Sequence, residues 1–327
     1  MLVNLPQSAS AQEGTAVPES KFVDVRGTRL QYLDFGGEGL PILFIHTLFR
    51  GASTWTSFAL RFTDQHRVHA ITARGVDPSG GEWSPVATRV KDILALMDTL
   101  GIERAIFIGN SSPARDMTYL AEHHPGRVAG LVCLANAPLV NNVVESDPTG
   151  AFKMFIRGHP YRHYTYSPEY LGSQDSGIDV PALTFVSSTG TRGWESQDSN
   201  YLVRVAEQVS QGKFPDSVSE GKEDWFEDPE ARSFFERLAN DEDLQKRIQT
   251  AWTEDVVPAL QENEEAFKRA FGDDLQVVEL DVPFVTGYEY MEEIPVATDG
   301  NYENMPERIE PPIRDFLEKV RAREDSQ

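Results

Sequence analysis

The chain has one cysteine, eight lysines and no histidine beyond His163, and each scarcity excludes something. A single cysteine, Cys133, cannot form an internal disulfide. It lies within the apolar run Val128-Ala129-Gly130-Leu131-Val132-Cys133-Leu134 and reads as a buried core residue. No apolar stretch reaches the roughly 18 residues that a membrane helix requires. Lysine is outnumbered by arginine eight to twenty-two, and the formal net charge is -22. A surface of that sign repels phosphate backbones and anionic lipid, so neither nucleic acid nor a membrane is an expected partner. Acid-rich and lysine-poor composition together point to a protein adapted to high salt.

What is present is enough for a large core: 327 residues, 40% hydrophobic and 10% aromatic. Residues 1–20 are polar and read as a flexible arm. Ala9-Ser10-Ala11 before Gln12 has the form of a signal-peptidase site behind a stretch too short for an export signal, so both a cytoplasmic and an exported location stay open. Phe22–Val25 and Leu30–Asp34, around Arg26-Gly27-Thr28, predict an antiparallel hairpin. Pro41–Ile45 and Ala105–Ile108 are short, wholly apolar runs, as in strands buried on both faces, and Arg67–Ile71 is a weaker strand. Val90, Ile93, Leu94 and Met97 recur at helical spacing and stop at Gly101. A helix to about His123 and a strand from Val128 continue the rhythm, which predicts a parallel sheet with helices on both faces.

The rhythm breaks after Pro138. Residues 139–178 carry Asn, Pro, Gly and many aromatics (Phe152, Phe155, Tyr161, Tyr164, Tyr166, Tyr170) and read as a lid. A core strand is expected within 179–189, then an acidic helical insertion over 190–272, with helices near 229–240, 242–253 and 256–271. Residues 273–327 close the core with a strand at Leu275–Leu280 and a helix over 306–322. Gly36-Gly37-Glu38-Gly39 precedes a strand instead of opening a helix, so it is a turn and not a phosphate loop. No cofactor motif and no His, Cys, Asp or Glu spacing for a metal is found.

Ile106-Phe107-Ile108-Gly109-Asn110-Ser111-Ser112-Pro113 runs from a strand straight into a helix, and Ser111 stands where a sharp turn would lift a hydroxyl clear of the sheet. The same serine also suits a plain helix cap. With its G-x-S-x-G-like turn the region resembles the α/β-hydrolase superfamily, and its Gly-Asn-Ser form is similar to the superfamily's carbon–carbon bond hydrolases. The resemblance continues in Ile45-His46-Thr47-Leu48, in Trp55, in Thr72–Gly80 and in His123–Val128, covering 22–138 well and 178–322 loosely, and the core's first part is taken as 21–138. It implies an α/β-hydrolase fold, Ser111 as candidate nucleophile, and the backbone N–H groups of Leu48 and Ser112 as oxyanion donors. His46, Arg50, Trp55 and Arg115 become candidate binding residues. Three glycines of the family pattern are replaced, by Thr47, Asp77 and Pro113, at places where glycine permits tight approach.

The resemblance also implies a histidine after the last strand, to take the serine's proton. Through Val277–Tyr288 that place falls on Gly287 or a near neighbour; an alternative alignment puts it at Asn301. Neither is histidine. The acid is equally displaced, with Glu195 and Asp198 both late. His159 and His163, in the lid, are the substitutes nearest in character, with His46 less suited. Three functions follow: a degenerate hydrolase that binds a small apolar or aromatic molecule; an active serine hydrolase, on ester or carbon–carbon bonds, with a non-standard base; or protein interaction through the acidic insertion.

Overall fold

The computed structural model describes residues 18–47, 50–136, 146–158, 177–187, 199–212, 226–280 and 306–326. The apolar runs become strands of an eight-stranded sheet ordered β1-β2-β4-β3-β5-β6-β7-β8. β1 (Glu19–Val25) and β2 (Thr28–Gly36) form the expected hairpin, with Arg26 and Gly27 both left-handed (φ 49° and 76°), the twist that a two-residue turn between antiparallel strands requires. β2 runs antiparallel to β4 (Val68–Ile71). From β4 onward β3 (Ile42–Ile45), β5 (Ala105–Ser111), β6 (Val128–Asn136), β7 (Ala182–Ser187) and β8 (Leu275–Leu280) are all parallel.

Alternation along these strands divides the core in two. Leu43, Ile45, Phe107, Leu131 and Cys133 face α1 (Val86–Leu100) and α2 (Pro113–His123). Ile42, Phe44, Ile106, Ile108 and Val132 face the helical turns of 52–62 and α8 (Pro306–Glu324). Burying both faces removes the strands from water, which is why they read as unbroken apolar runs. A side chain at Gly130 in β6 would meet Val320 Cγ2 at 3.1 Å and Phe316 Cζ at 3.2 Å, so the bare backbone there is what lets α8 lie close to the sheet. α1 ends at Gly101 in the left-handed region, as its sequence predicts.

The two segments that the sequence separates, 139–178 and 190–272, meet in one helical layer. α3 (Ala151–Gly158) packs with α4 (Tyr201–Ser210), α5 (Pro229–Leu238) and α6 (Glu242–Ala251) around Phe155, Leu202, Val205, Phe226 and Phe235. Phe226 occupies the space that a side chain at Gly158 would need, 2.2 Å from the position of its Cβ. Each helix has one apolar stripe and cannot bury it alone, so pieces on either side of β7 share a core. α6 continues through a single wide turn (Trp252–Val256) into α7 (Val257–Phe271). Pro258, near the start of α7, has no N–H to donate, which favours a local change of hydrogen-bond pattern. α7 then returns to the sheet, where Ala270 and Phe271 join the first core and Ala270 O accepts from Ile178 N–H at 2.7 Å. Among the described residues no helix is long and apolar enough to cross a membrane.

Candidate active site

β5 passes into α2 with one residue between them. Ser111 ends the strand, its backbone paired with Asn136 after a shift of register at Asn110; Ser112 is helical and caps α2; Pro113 is its first residue. The turn can be this abrupt because Gly109 has no side chain: a Cβ there would lie 2.7 Å from Pro113 Cβ, 2.8 Å from Met117 Sδ and 3.4 Å from Ile45 O. Pro113, which replaces a family glycine, is thus accommodated by the glycine that remains, and at the first helical position its missing N–H costs no hydrogen bond. The side chain of Ser111 lies outside the described residues.

A buried ion pair fastens the first turn of α2. Arg89 of α1 donates to Asp116 twice, Nε to Oδ2 at 2.9 Å and Nη2 to Oδ1 at 2.5 Å, and its third nitrogen reaches Ser84 O at 2.5 Å. The bidentate geometry satisfies both carboxylate oxygens, and a carboxylate in a helix's first turn also complements the helix dipole. Trp83 covers the guanidinium, 4.4 Å from ring centroid to Cζ.

The loop after β3 is set by its histidine. His46 is buried, and its Nε2 accepts the N–H of Ala73 at 2.9 Å. A backbone N–H can only donate, so Nε2 carries no proton and Nδ1 must; Nδ1–H then donates to Thr47 O at 2.9 Å. Both ring nitrogens are committed to backbone. The partner segment 72–80 is itself pinned: the Ser79 hydroxyl donates to Thr72 O (2.7 Å) and accepts from Gln31 N–H (2.8 Å), and Thr72 Oγ1 accepts from Ala52 N–H (2.9 Å). Arg74 in that segment is bidentate on Asp92, which Arg26 also approaches. Gly75 is left-handed (φ 76°), with Trp83 N 2.2 Å from the position its Cβ would take. Asp77, the second replaced glycine, is exposed and not left-handed, so it is accommodated without strain.

Thr47, the third replacement, is buried, and its Oγ1 lies 3.3 Å from Ser112 Oγ, linking the end of β3 to the cap of α2. Arg50 folds back so that its N–H donates to Thr47 O at 3.1 Å, while its side chain is exposed. Arg115 is buried in the first turn of α2. Trp55 is fully buried against Phe44 (centroids 4.9 Å apart) and Phe58 (6.4 Å), so its indole serves core packing. Leu48, Glu195, Asp198, Gly287, Asn301, His159 and His163 lie outside the described residues.

The other described histidines stand far from Ser111. His123 and His124 are at the far end of the eleven-residue α2, about 15 Å away at 1.5 Å per residue. His69 is in register with Leu43 and hence with Phe107, four residues before Ser111, about 13 Å along the strand direction. His66 precedes β4, and its Nδ1–H donates to Leu40 O at 2.9 Å. Burial pushes the Cys133 thiol up to about 12, so the residue opposite Gly109 on β6 is packing and not a nucleophile.

Reading along the chain missed Asn110, buried with its Oδ1 unpartnered among the described residues, and the two arginine–carboxylate pairs. Partners separated by 18 and 27 residues carry no local signal.

The strand order, the abrupt β5–α2 turn and the loop after β3 place this chain in a known class. A family model described as alpha/beta hydrolase fold matches residues 41–209, just over half of the sequence, and the chain belongs to that family. Its relatives include a non-heme haloperoxidase of Rhodococcus erythropolis, 30% identical over 128 residues (38% of this chain, 46% of the relative). Another is a 2-hydroxy-6-oxononadienedioate/2-hydroxy-6-oxononatrienedioate hydrolase of a Pseudomonas species, 28% identical over 154 residues (43% and 53%). The chain spans about half the length of these curated relatives. The crystal structure of epoxide hydrolase VrEH1 from Vigna radiata shares the fold, with a TM-score of 0.52 at 14% identity over 94% of this chain and all of that one.

Proposed function

We propose that this member of the α/β-hydrolase fold family binds a small apolar or aromatic molecule and has little or no hydrolase turnover. The observation that carries the reading is the fate of His46. It is the one described histidine beside the β5–α2 turn, and both of its nitrogens are spent on Ala73 and Thr47 backbone. Residues 164–327, where the family order puts the base, contain no histidine. Without an oriented imidazole a serine hydroxyl is a poor nucleophile near neutral pH, and what remains of catalysis is binding and oxyanion stabilisation. The carboxyl ends of parallel strands are where open α/β sheets place their ligands, and the aromatic residues of 152–170 suit an apolar guest.

The relatives' names favour a second reading. They include a hydrolase and a methyl ester esterase, and the Gly109-Asn110-Ser111 turn is kept, so Ser111 would act on an ester or carbon–carbon bond with His159 or His163 of the segment before β7 as its base. One experiment separates the two. The expected outcome is no stoichiometric labelling of Ser111 by a fluorophosphonate, and p-nitrophenyl acetate turnover that is equal in wild type and Ser111→Ala. Rapid labelling lost in Ser111→Ala, with ester turnover falling by several orders of magnitude, would establish the serine hydrolase instead.

A further inference from the structure

We propose that β8 is an interface strand: it pairs antiparallel with β8 of a second copy of this chain, centred on Val277, and joins the two sheets edge to edge. Among the described residues β8 has one neighbour in the sheet, β7, which leaves the other side of its backbone open to a further strand. The sheet ends at two strands, and they differ. β1 carries Glu19, Lys21 and Asp24, and charges of this kind protect a sheet edge from pairing with another chain. Its exposed Phe22 lies against the Arg29 guanidinium, 4.0 Å from ring centroid to Cζ. β8 reads Leu275-Gln276-Val277-Val278-Glu279-Leu280, with one charge and no proline or glycine. Val277 is 42% exposed, and with Phe22 it is one of two large apolar side chains exposed among the described residues.

The pattern of the strand selects its own copy as the partner and sets the register. Residues directly opposite each other in an antiparallel pair point to the same face, so a twofold axis normal to the sheet must pass through a residue. Leu275 packs against the first core, which includes Ala270 and Phe271 of α7, while Val278 and Leu280 pack with the second. Alternation therefore puts Val277 and Glu279 on the α7 face. An axis at Glu279 would set two carboxylates against each other, and an axis at Val278 would set each Val277 against a carboxylate. With the axis at Val277 the two exposed valines meet, and Glu279 falls opposite Leu275 of the second copy. Leu275 follows closely on the last turn of α7, which carries Lys268 and Arg269. In the turn between, Asp273 is exposed and Asp274 is paired with Arg323 at 3.2 Å. Each Glu279 thus comes to the basic end of the other copy's α7, and no like charges stand opposite each other in the strand pair.

The test is sedimentation velocity on the full chain in 1 M KCl, where the Debye length of about 3 Å screens the repulsion between two chains of net charge -22. The expected result is a reversible dimer with a Kd of about 10 µM, raised about tenfold or more by Val277→Lys, which sets two like charges opposite each other. Cross-linking checks the register independently of that variant. Val277→Cys should join to its own copy through a bis-maleimide too short to span about 13 Å, the offset of four strand residues that keeps two Glu279→Cys sites apart. Cys133 is buried and does not compete. Thermal melts identify a variant that fails to fold. A wild type that stays monomeric at about 200 µM overturns the proposal, as does a dimer that folded Val277→Lys leaves at wild-type affinity. Cross-linking at Glu279→Cys and not at Val277→Cys overturns the register. Monomeric wild type whose β8 amides are all protected from hydrogen exchange has that edge covered from within its own chain, which overturns the second copy as partner.

Discussion

The helix that leaves β5 and the helices of the outer layer are fastened by the same chemistry in different solvents. Arg89 and Asp116 join α1 to α2 with both side chains under one-tenth exposed. Arg157 joins α3 to Asp228 and Glu230 at the start of α5, with its own side chain 38% exposed and that of Glu230 64%. The buried pair is committed: either charge, left alone, has no water to turn to. The exposed pair is screened and dispensable, and its layer is held by Phe155, Phe226 and Phe235. The turn around Ser111 therefore sits on over-determined ground, with Gly109, Pro113 and the Arg89–Asp116 pair all enforcing one geometry. The outer helices rest on one aromatic cluster.

The sharpest way to break this contrast is Asp116→Ala, which strands Arg89. A loss of about 3–5 kcal/mol in global stability is expected, read from urea unfolding. A loss under 1 kcal/mol would mean that the buried pair does not anchor α2.

Next in size is an acid sensitivity led by a buried histidine of the sheet. His69 is buried in β4, its Nδ1 3.9 Å from Asp34 Oδ1, with Arg67 and Lys21 also on that carboxylate. Burial holds the imidazole down at about 4, against an ordinary value of 6.5. Between those values the unfolded chain binds a proton that the folded chain refuses, so stability rises with pH from about 4 to about 6.5 and is lost as pH falls through that window. The contribution is up to about 3 kcal/mol. His66 and His124 are pushed in the same direction by burial, and Asp34, held at about 2 by Lys21, the Gly36 N–H and Arg67 against its own desolvation, protonates only below the window. His69→Gln should flatten the rise relative to wild type in stability measured at pH 4.5 and 7. An unchanged slope would locate the acid sensitivity elsewhere.

The smallest effect belongs to the outer layer. Arg157→Ala should cost less than about 1 kcal/mol, and less still in high salt. Faster amide hydrogen exchange confined to α3 and α5, with β5 and α2 unchanged, would show the two regions opening separately. A loss as large as that of Asp116→Ala would erase the distinction.

Much of this architecture was legible along the chain, for local reasons. Apolar runs of four to seven residues became β3, β5, β6 and β7. Asp228 and Asp241 cap α5 and α6, whose predicted starts at 229 and 242 hold to the residue, because a side chain that satisfies its own helix's first N–H groups needs nothing distant. Gly101 and Gly27 punctuate because their backbone demand is their own. Less legible was the site: Arg115 and Trp55, taken as candidate binding residues, are buried in the first turn of α2 and in the core, and spacing along the chain does not report burial. The lid and the insertion looked separate because β7 interrupts them, and an amphipathic stripe does not name the stripe it will meet.

By itself the sequence determined the sheet and its rhythm, the glycine behind the β5–α2 turn, and the absence of any histidine after His163, since each is a matter of residue type at a position. Tertiary structure alone decided that His46 gives both nitrogens to backbone, that Thr47 reaches Ser112 across 65 residues of chain, and that Arg89 closes on Asp116. Hydrogen bonds and ion pairs act over about 3 Å of space whatever the distance along the chain. A strand's apolar face is written in its own residues, but the partner of a hydroxyl or an imidazole is chosen only when the sheet brings the strand ends together.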